Sequence, residues 1–388
     1  MTASCRGLAA SILGVTWATL SPFPSGPAAK GASMDTVKIE KDRFGVTADG
    51  AAVERYTLRN GRGMTARLID YGATVTELWV PDRNGRRDDI VLGFDNLAGY
   101  ESPQNPYFGA TVGRVAFRIT QGTFVLDGRE YRLSLNIPPH HLHGGVRGLS
   151  RVVWQAEPLA GGHAPAVRFR YQSPDGDQGY PGRLDATVLY TLTDHNELAI
   201  EYAATTDRPT PVNLTHHSYF NLAGAGRGEV LGHVLELKAS RYTPLDEKKI
   251  PTGKIVPVDG TPFDFLKRTA IGARIRPASE VADGYDLSYL VDRPADDASL
   301  KLLATLREPT SGRVLEVLST EPAIVLYTGN YLDGTLHGKG GKVYPKHAGV
   351  CLETAHLPDS VNQPAFPPVI LRPGQTYHHR CIYRFSAQ

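Results

Sequence analysis

Three stretches of strict alternation constrain the fold more than anything else in the chain. In "AVRFRY" (166–171), Val167, Phe169 and Tyr171 alternate with Ala166, Arg168 and Arg170. In "RLDATVLYTL" (183–192), Leu184, Ala186, Val188 and Tyr190 repeat the pattern, and "ELAIEYA" (197–203) continues it with Leu198, Ile200 and Tyr202. A period of two places such side chains on one face of an extended chain, the mark of half-buried antiparallel strands. Turn dipeptides separate the strand-like runs at Asn84–Gly85, Asp127–Gly128, Asp175–Gly176 and Pro373–Gly374. Helical periodicity is scarce, and "DNLAGYES" (95–102) offers one or two turns at most. Neither an internal repeat nor a linker divides the chain after residue 36. The pattern predicts an all-β protein, a large antiparallel β-sandwich forming a single domain over 36–388.

The first 33 residues read differently. Arg6 precedes "GLAASILGVTWATL" (7–20) and a stretch rich in Pro, Gly and Ala (21–33). One positive charge, a short apolar run and small residues have the layout of a secretory signal followed by a flexible leader. That layout implies a periplasmic or secreted protein. The alternative is a start at Met34, which would give a complete cytoplasmic chain. The run falls short of the roughly 20 apolar residues a spanning helix needs, so no membrane segment is expected in the mature protein. Lys and Arg total 42 against 40 acidic residues, a net charge of +2, which gives no electrostatic case for a nucleic-acid partner. Outside the leader the only cysteines are Cys351 and Cys381, without zinc-type spacing; buried thiols are the first reading and one disulfide the second.

Polar groups gather among apolar strand residues in 107–119, 140–145, 213–224, 282–292 and 349–364. In "GVCLETAHL", Glu353 shares a strand face with Cys351 and is followed by a Pro- and Asn-bearing loop. It reads equally well as a pocket carboxylate and as an exposed strand glutamate. In "NLTHHSYFNLAG", an extended backbone sends His216 and His217 to opposite faces, so that one can line a pocket while the other packs. A histidine near a carboxylate is the natural proton donor at neutral pH, although a lone strand histidine is more often structural. His141 and His143 are spaced to share a metal, but no carboxylate accompanies them, and no metal or cofactor is expected. "GKGGKVYPK" (338–346) lacks the phosphate-loop spacing and reads as a mobile surface loop.

Taken in order, "PYFGATVGR", "LDGREY", "LHGG", "DGDQGYPG", "NLTHHSYFNLAG", "YTGNYLDGT" and "CLETAHLPDSVNQP" resemble the aldose 1-epimerase (galactose mutarotase) family from about residue 41 onward. The resemblance implies a galactose mutarotase-like β-supersandwich with an open sugar cleft. It implies an isomerase of hexose metabolism that interconverts α and β anomers of free aldoses without a cofactor. Its partner would be a small-molecule sugar, and the protein itself a monomer or homodimer. The matched motifs place the base at Glu353 and the acid at His217, with Arg118, His143 and Asp286 binding substrate and Ser218 and Tyr219 as nearby cleft residues. Four positions depart from the family's pattern: Phe117, Leu287, Val325 and Ala355 stand where hydrogen-bonding side chains are usual. These changes imply either weaker binding of ordinary sugars or an altered, broadened specificity, and the second is favoured here. A carbohydrate-binding protein without turnover and a glycoside-cleaving enzyme using Asp286 and Glu353 are the competing readings; cleavage would need the two carboxylates astride a glycosidic bond.

Overall fold

The computed structural model describes residues 39–159, 164–247, 250–294 and 297–388. The leader lies outside the described residues. A five-stranded antiparallel meander opens the fold, running through Glu40–Val46, Ala52–Arg59, Thr65–Ile69, Thr74–Pro81 and Arg87–Asp89 in sequence order. The large sheet has nine strands. Gln155–Leu159, Ala166–Ser173, Leu184–Leu192 and Glu197–Thr206 lie side by side; Tyr377–Ala387 then joins them to Arg313–Ser319, Lys301–Arg307, Val234–Leu237 and Thr269–Ala270. Leu184–Leu192 alternates buried and half-buried residues along its whole length. Phe169, Val188 and Tyr202 line up across three strands, so the predicted apolar face is a real cross-strand row.

Apolar residues of the meander, including Leu58, Leu68, Val75 and Leu78, pack with Val167, Phe169, Val188 and Ile200 of the large sheet in one core. A sandwich is the form in which two such sheets bury their apolar faces together. The single helix expected at 95–102 is the five-residue Leu97–Glu101, capped by the Asn96 side chain. A second, Ile275–Ala282, was not anticipated. It is short, and its proline at position 277 falls in the first turn, where the missing amide N–H has no intrahelical partner to lose. No helix among the described residues is long and apolar enough to cross a membrane.

A third sheet carries the chemistry. Its order is Val256–Pro257, Arg241–Tyr242, Asp286–Leu290, Ala323–Tyr327 and Cys351–Ala355. Alternation splits it cleanly. Leu287, Tyr289, Ile324, Leu326 and Leu352 join the main core. On the other face Asp286, Tyr327 and Cys351 form one cross-strand row, and Ser288, Val325 and Glu353 form the next.

Two arginines in "GRVAFRI" part company here. Arg114 is 2% exposed and spends its guanidinium inside the fold, donating to Ser173 Oγ at 2.9 Å and to the carbonyls of Gly182 and Pro174 at 2.9 and 2.8 Å. Arg118 lines the cleft. The loop at 338–346 is tied down rather than free. Lys339 is mostly buried, its ammonium pairing with Asp89 and donating to the Thr76 carbonyl at 2.7 Å.

Candidate active site

The segment 213–217 is pinned to the strand that bears Glu353. The Thr215 hydroxyl donates to the Thr354 carbonyl at 3.0 Å, and the His356 amide donates to Asn213 Oδ1 at 3.0 Å. Thr215–His216 pairs on its other side with Thr111–Val112. The backbone amide of His217 donates to the Ala110 carbonyl, and the Gly109 amide to the His217 carbonyl, both at 3.0 Å. A Cβ on Gly109 would stand 2.0 Å from the Val75 carbonyl oxygen, so only glycine permits this approach.

These restraints hold His217 over the third sheet, with Nε2 3.6 Å from Glu353 Oε1. Both side chains are buried, at 4% and 2% residue exposure, at the bottom of a cleft that also receives Arg118, His143, Asp286 and Tyr219. The His217 ring stacks on Tyr219 at 5.1 Å and on Tyr107 at 5.9 Å, which fixes its plane. Burial pulls the His217 imidazole down to about 4. The Glu353 carboxyl is pushed well above the ordinary range, first by burial and then by Asp286. Its Oε2 is buried without a hydrogen-bond partner. A buried acceptor left open in this way is costly unless something else, such as a substrate hydroxyl, comes to fill it.

His143 is a hydrogen-bond donor by construction. Its Nδ1 accepts the Phe117 amide at 3.2 Å, which leaves the ring proton on Nε2. Burial, with the neighbouring His217 and Arg118, holds it well below its usual value, so the ring is neutral. Tyr107, Phe117 and His143 all have left-handed backbone conformations, with φ of 65°, 66° and 52°. Strain of this kind costs about 1–3 kcal/mol per residue and gathers where a structure must aim side chains at a ligand.

His216 does face the other way, as alternation predicts. Its Nε2 lies 2.7 Å from Ser218 Oγ, and its ring packs against Tyr190 and Tyr383. Ser218 therefore belongs to the packing side with His216, and its expected place in the cleft is corrected: it lies one residue from His217, and strand parity turns it away. His141, two residues before His143, bonds the Ser134 carbonyl and Tyr180 at 2.7 Å each and does not join the cleft. Cys351 and Cys381 are both buried free thiols, so the disulfide reading is set aside.

Two of the four departures shape the cleft and two do not. Phe117 and Val325 line it, and Val325 lies beside Glu353 in the same cross-strand row. Leu287 is on the core face, and Ala355, two residues past Glu353 on the same strand face, is buried and does not line the cleft. Tyr107, Ser288 and Tyr327 are cleft residues that were missed, although the quoted "PYFG" and "YTGN" motifs contain both tyrosines.

His217, Cys351 and Glu353 also bring one ligand atom each to within 4.8 Å of one another, a spacing a metal ion could use. Metal ligation through Cys351 needs the thiolate, which burial first and Glu353 second oppose. The trio is better suited to moving protons.

Fold and site together describe a β-sandwich enzyme whose cleft, lined by polar and aromatic side chains, holds a buried carboxyl–imidazole pair. The family profile described as "Aldose 1-epimerase" matches residues 54–384. Galactose mutarotase from Rattus norvegicus is 47% identical over 90% of this chain and 99% of its own length. Aldose 1-epimerase from Escherichia coli K12 is 37% identical over 88% and 97%. Among solved structures, an aldose epimerase homologue from C. elegans superposes with a TM-score of 0.77 at 34% identity, covering 85% of this chain and 98% of that one. A galactose 1-epimerase from Lactobacillus acidophilus also gives 0.77, at 26% identity over 90% and 99%. The chain belongs to the aldose 1-epimerase family.

Proposed function

We propose that the protein interconverts the α and β anomers of free aldoses, with Glu353 as base and His217 as acid. Anomer exchange requires ring opening. The ionised Glu353 takes the proton of the C1 hydroxyl while the neutral His217 gives its Nε2 proton to the ring oxygen. The negative charge passes from carboxylate to imidazole and returns on closure. The C1–C2 bond rotates, and closure on the other face reverses both transfers. Oε1 and Nε2 stand 3.6 Å apart, a spacing at which one sugar can offer O1 to the first and its ring oxygen to the second. This spacing is the observation that carries the reading. Arg118, His143 and Asp286 orient the ring, the neutral His143 through its Nε2–H. Polarimetry on freshly dissolved α-glucose and α-galactose tests the activity; rotation that decays no faster than in buffer would sink it.

The apolar wall bears on substrate choice. A site that hydrogen-bonds each hydroxyl punishes an analogue lacking one, and an apolar wall does not. With Phe117 and Val325 in the cleft, deoxy aldoses should lose less than about 10-fold in kcat/KM against their parent sugars, the worth of one ordinary hydrogen bond. Val325→Gln should widen that gap. Equal discrimination by wild type and variant would remove Val325 from the account.

The layout of residues 6–33 supports export to the periplasm or outside the cell. N-terminal sequencing of the mature protein should find a chain that begins past the apolar run, within about residues 21–33, and a protein that begins at Met1 or at Met34 would refute it.

A further inference from the structure

We propose that Cys351 is the positioning residue of the acid: its thiol holds Nδ1 of His217 and keeps the ring proton on Nε2, the nitrogen that faces Glu353 and the substrate. The inference rests on the acid–base reading above and assigns a task to a side chain that this reading leaves idle.

The geometry is direct. Cys351 is 0% exposed and lies two residues from Glu353 on the same face of the sheet. Its sulfur stands 3.6 Å from His217 Nδ1, within hydrogen-bond reach for sulfur. The carbonyl of His217 accepts the Gly109 amide at 3.0 Å, keeps a second lone pair and also reaches the ring, so it is the rival that would draw a proton to Nδ1. With the ring plane fixed between Tyr107 and Tyr219, what remains open is which nitrogen carries the proton.

A thiol suits that choice better than the commoner partners. A carboxylate or carbonyl at Nδ1 accepts only, so it would demand a proton there. The buried Cys351 thiol stays protonated, because burial and Glu353 both oppose the thiolate. It can therefore donate S–H to the Nδ1 lone pair of the neutral ring. When the ring is an imidazolium, the same sulfur can accept from Nδ1–H. Nε2 bears a proton in both states. The opposite tautomer would turn a lone pair toward Glu353 and leave the ring oxygen without a donor.

Nitrogen-15 NMR of the His217 imidazole, read together with mutarotation kinetics, tests this. In the wild type the ring should be the Nε2–H tautomer. Cys351→Ala should shift it toward Nδ1–H and lower kcat about 10-fold, the upper range for one neutral hydrogen bond, with KM little changed. Cys351→Ser keeps a donor-acceptor group and should restore most of that loss. An Nδ1–H ring in the wild type overturns the proposal, even where the alanine variant fails to fold. So does an alanine variant with wild-type kcat. A wild type with no mutarotase activity would instead strike the acid–base reading, which the tautomer measurement does not depend on.

Discussion

Glu353→Gln should lower kcat by about 10²–10⁴, the usual worth of one positioned proton-transfer group, while leaving the protein more thermostable at alkaline pH. The catalytic half follows from the amide, which cannot take the C1 proton. The stability half follows from the wild-type carboxyl, which is 2% exposed, has an unpartnered Oε2 and sits near Asp286. Its folded-state value is raised above the unfolded one. The folded state therefore binds this proton more tightly, and the stability it contributes is lost as pH rises through the raised value. Glutamine carries no charge and escapes that cost. Thermal melts should show the variant above wild type at pH 8 and level with it near pH 4. A variant that keeps a tenth of wild-type kcat, or that melts lower at pH 8, would mean that Glu353 is not the strained base described here.

The same glutamate shows what a sequence can and cannot disclose. Alternation in Leu184–Leu192 reads straight through to its burial pattern, because a strand between two neighbours has only two faces to choose from. Parity likewise separates His216 from His217 with no knowledge of the fold. Parity should also have removed Ser218, which shares a side with His216 and bonds it at 2.7 Å. Leu287 obeys the same rule. It follows a cleft aspartate, yet one step along a strand is the opposite face, and it packs in the main core. No local pattern brings Val325 beside Glu353, since that adjacency is cross-strand register between segments 28 residues apart, 353 less 325. The left-handed backbone at Tyr107 and Phe117 was equally hidden, because aromatic residues rarely adopt it; His143 is of a type that adopts it more often, yet still only in a small minority of cases.

Acid should unfold this protein well above the pH at which ordinary carboxylates titrate, and buried neutral imidazoles are the cause. Burial holds His141, His217 and His233 at about 4 and His216 at about 3. Each has a bond that a second ring proton would disturb. His233 Nε2 accepts the Leu222 amide at 3.0 Å, His141 sits 2.7 Å from both Tyr180 and the Ser134 carbonyl, and His216 sits 2.7 Å from Ser218. Their folded values lie below the unfolded 6.5, so the unfolded chain binds more protons between pH 6.5 and 4. The stability they contribute is whole above pH 6.5 and falls as the solution is acidified. At pH 5 each imidazole forfeits up to about 2 kcal/mol, and four together remove several kcal/mol from a total that is typically about 5–15. Glu353, raised well above its ordinary range by burial, Asp70, raised to about 6 by burial, and His356, raised against the pull of burial by Glu321, act in the opposite sense but are fewer. Urea midpoints measured from pH 7.5 to 4.5 should therefore fall steeply below pH 6. Replacing His216 by Gln, which keeps polar atoms but cannot titrate, should reduce that slope by close to one proton. A stability that stays level down to pH 5 would mean that these rings already find room for a second proton inside the fold.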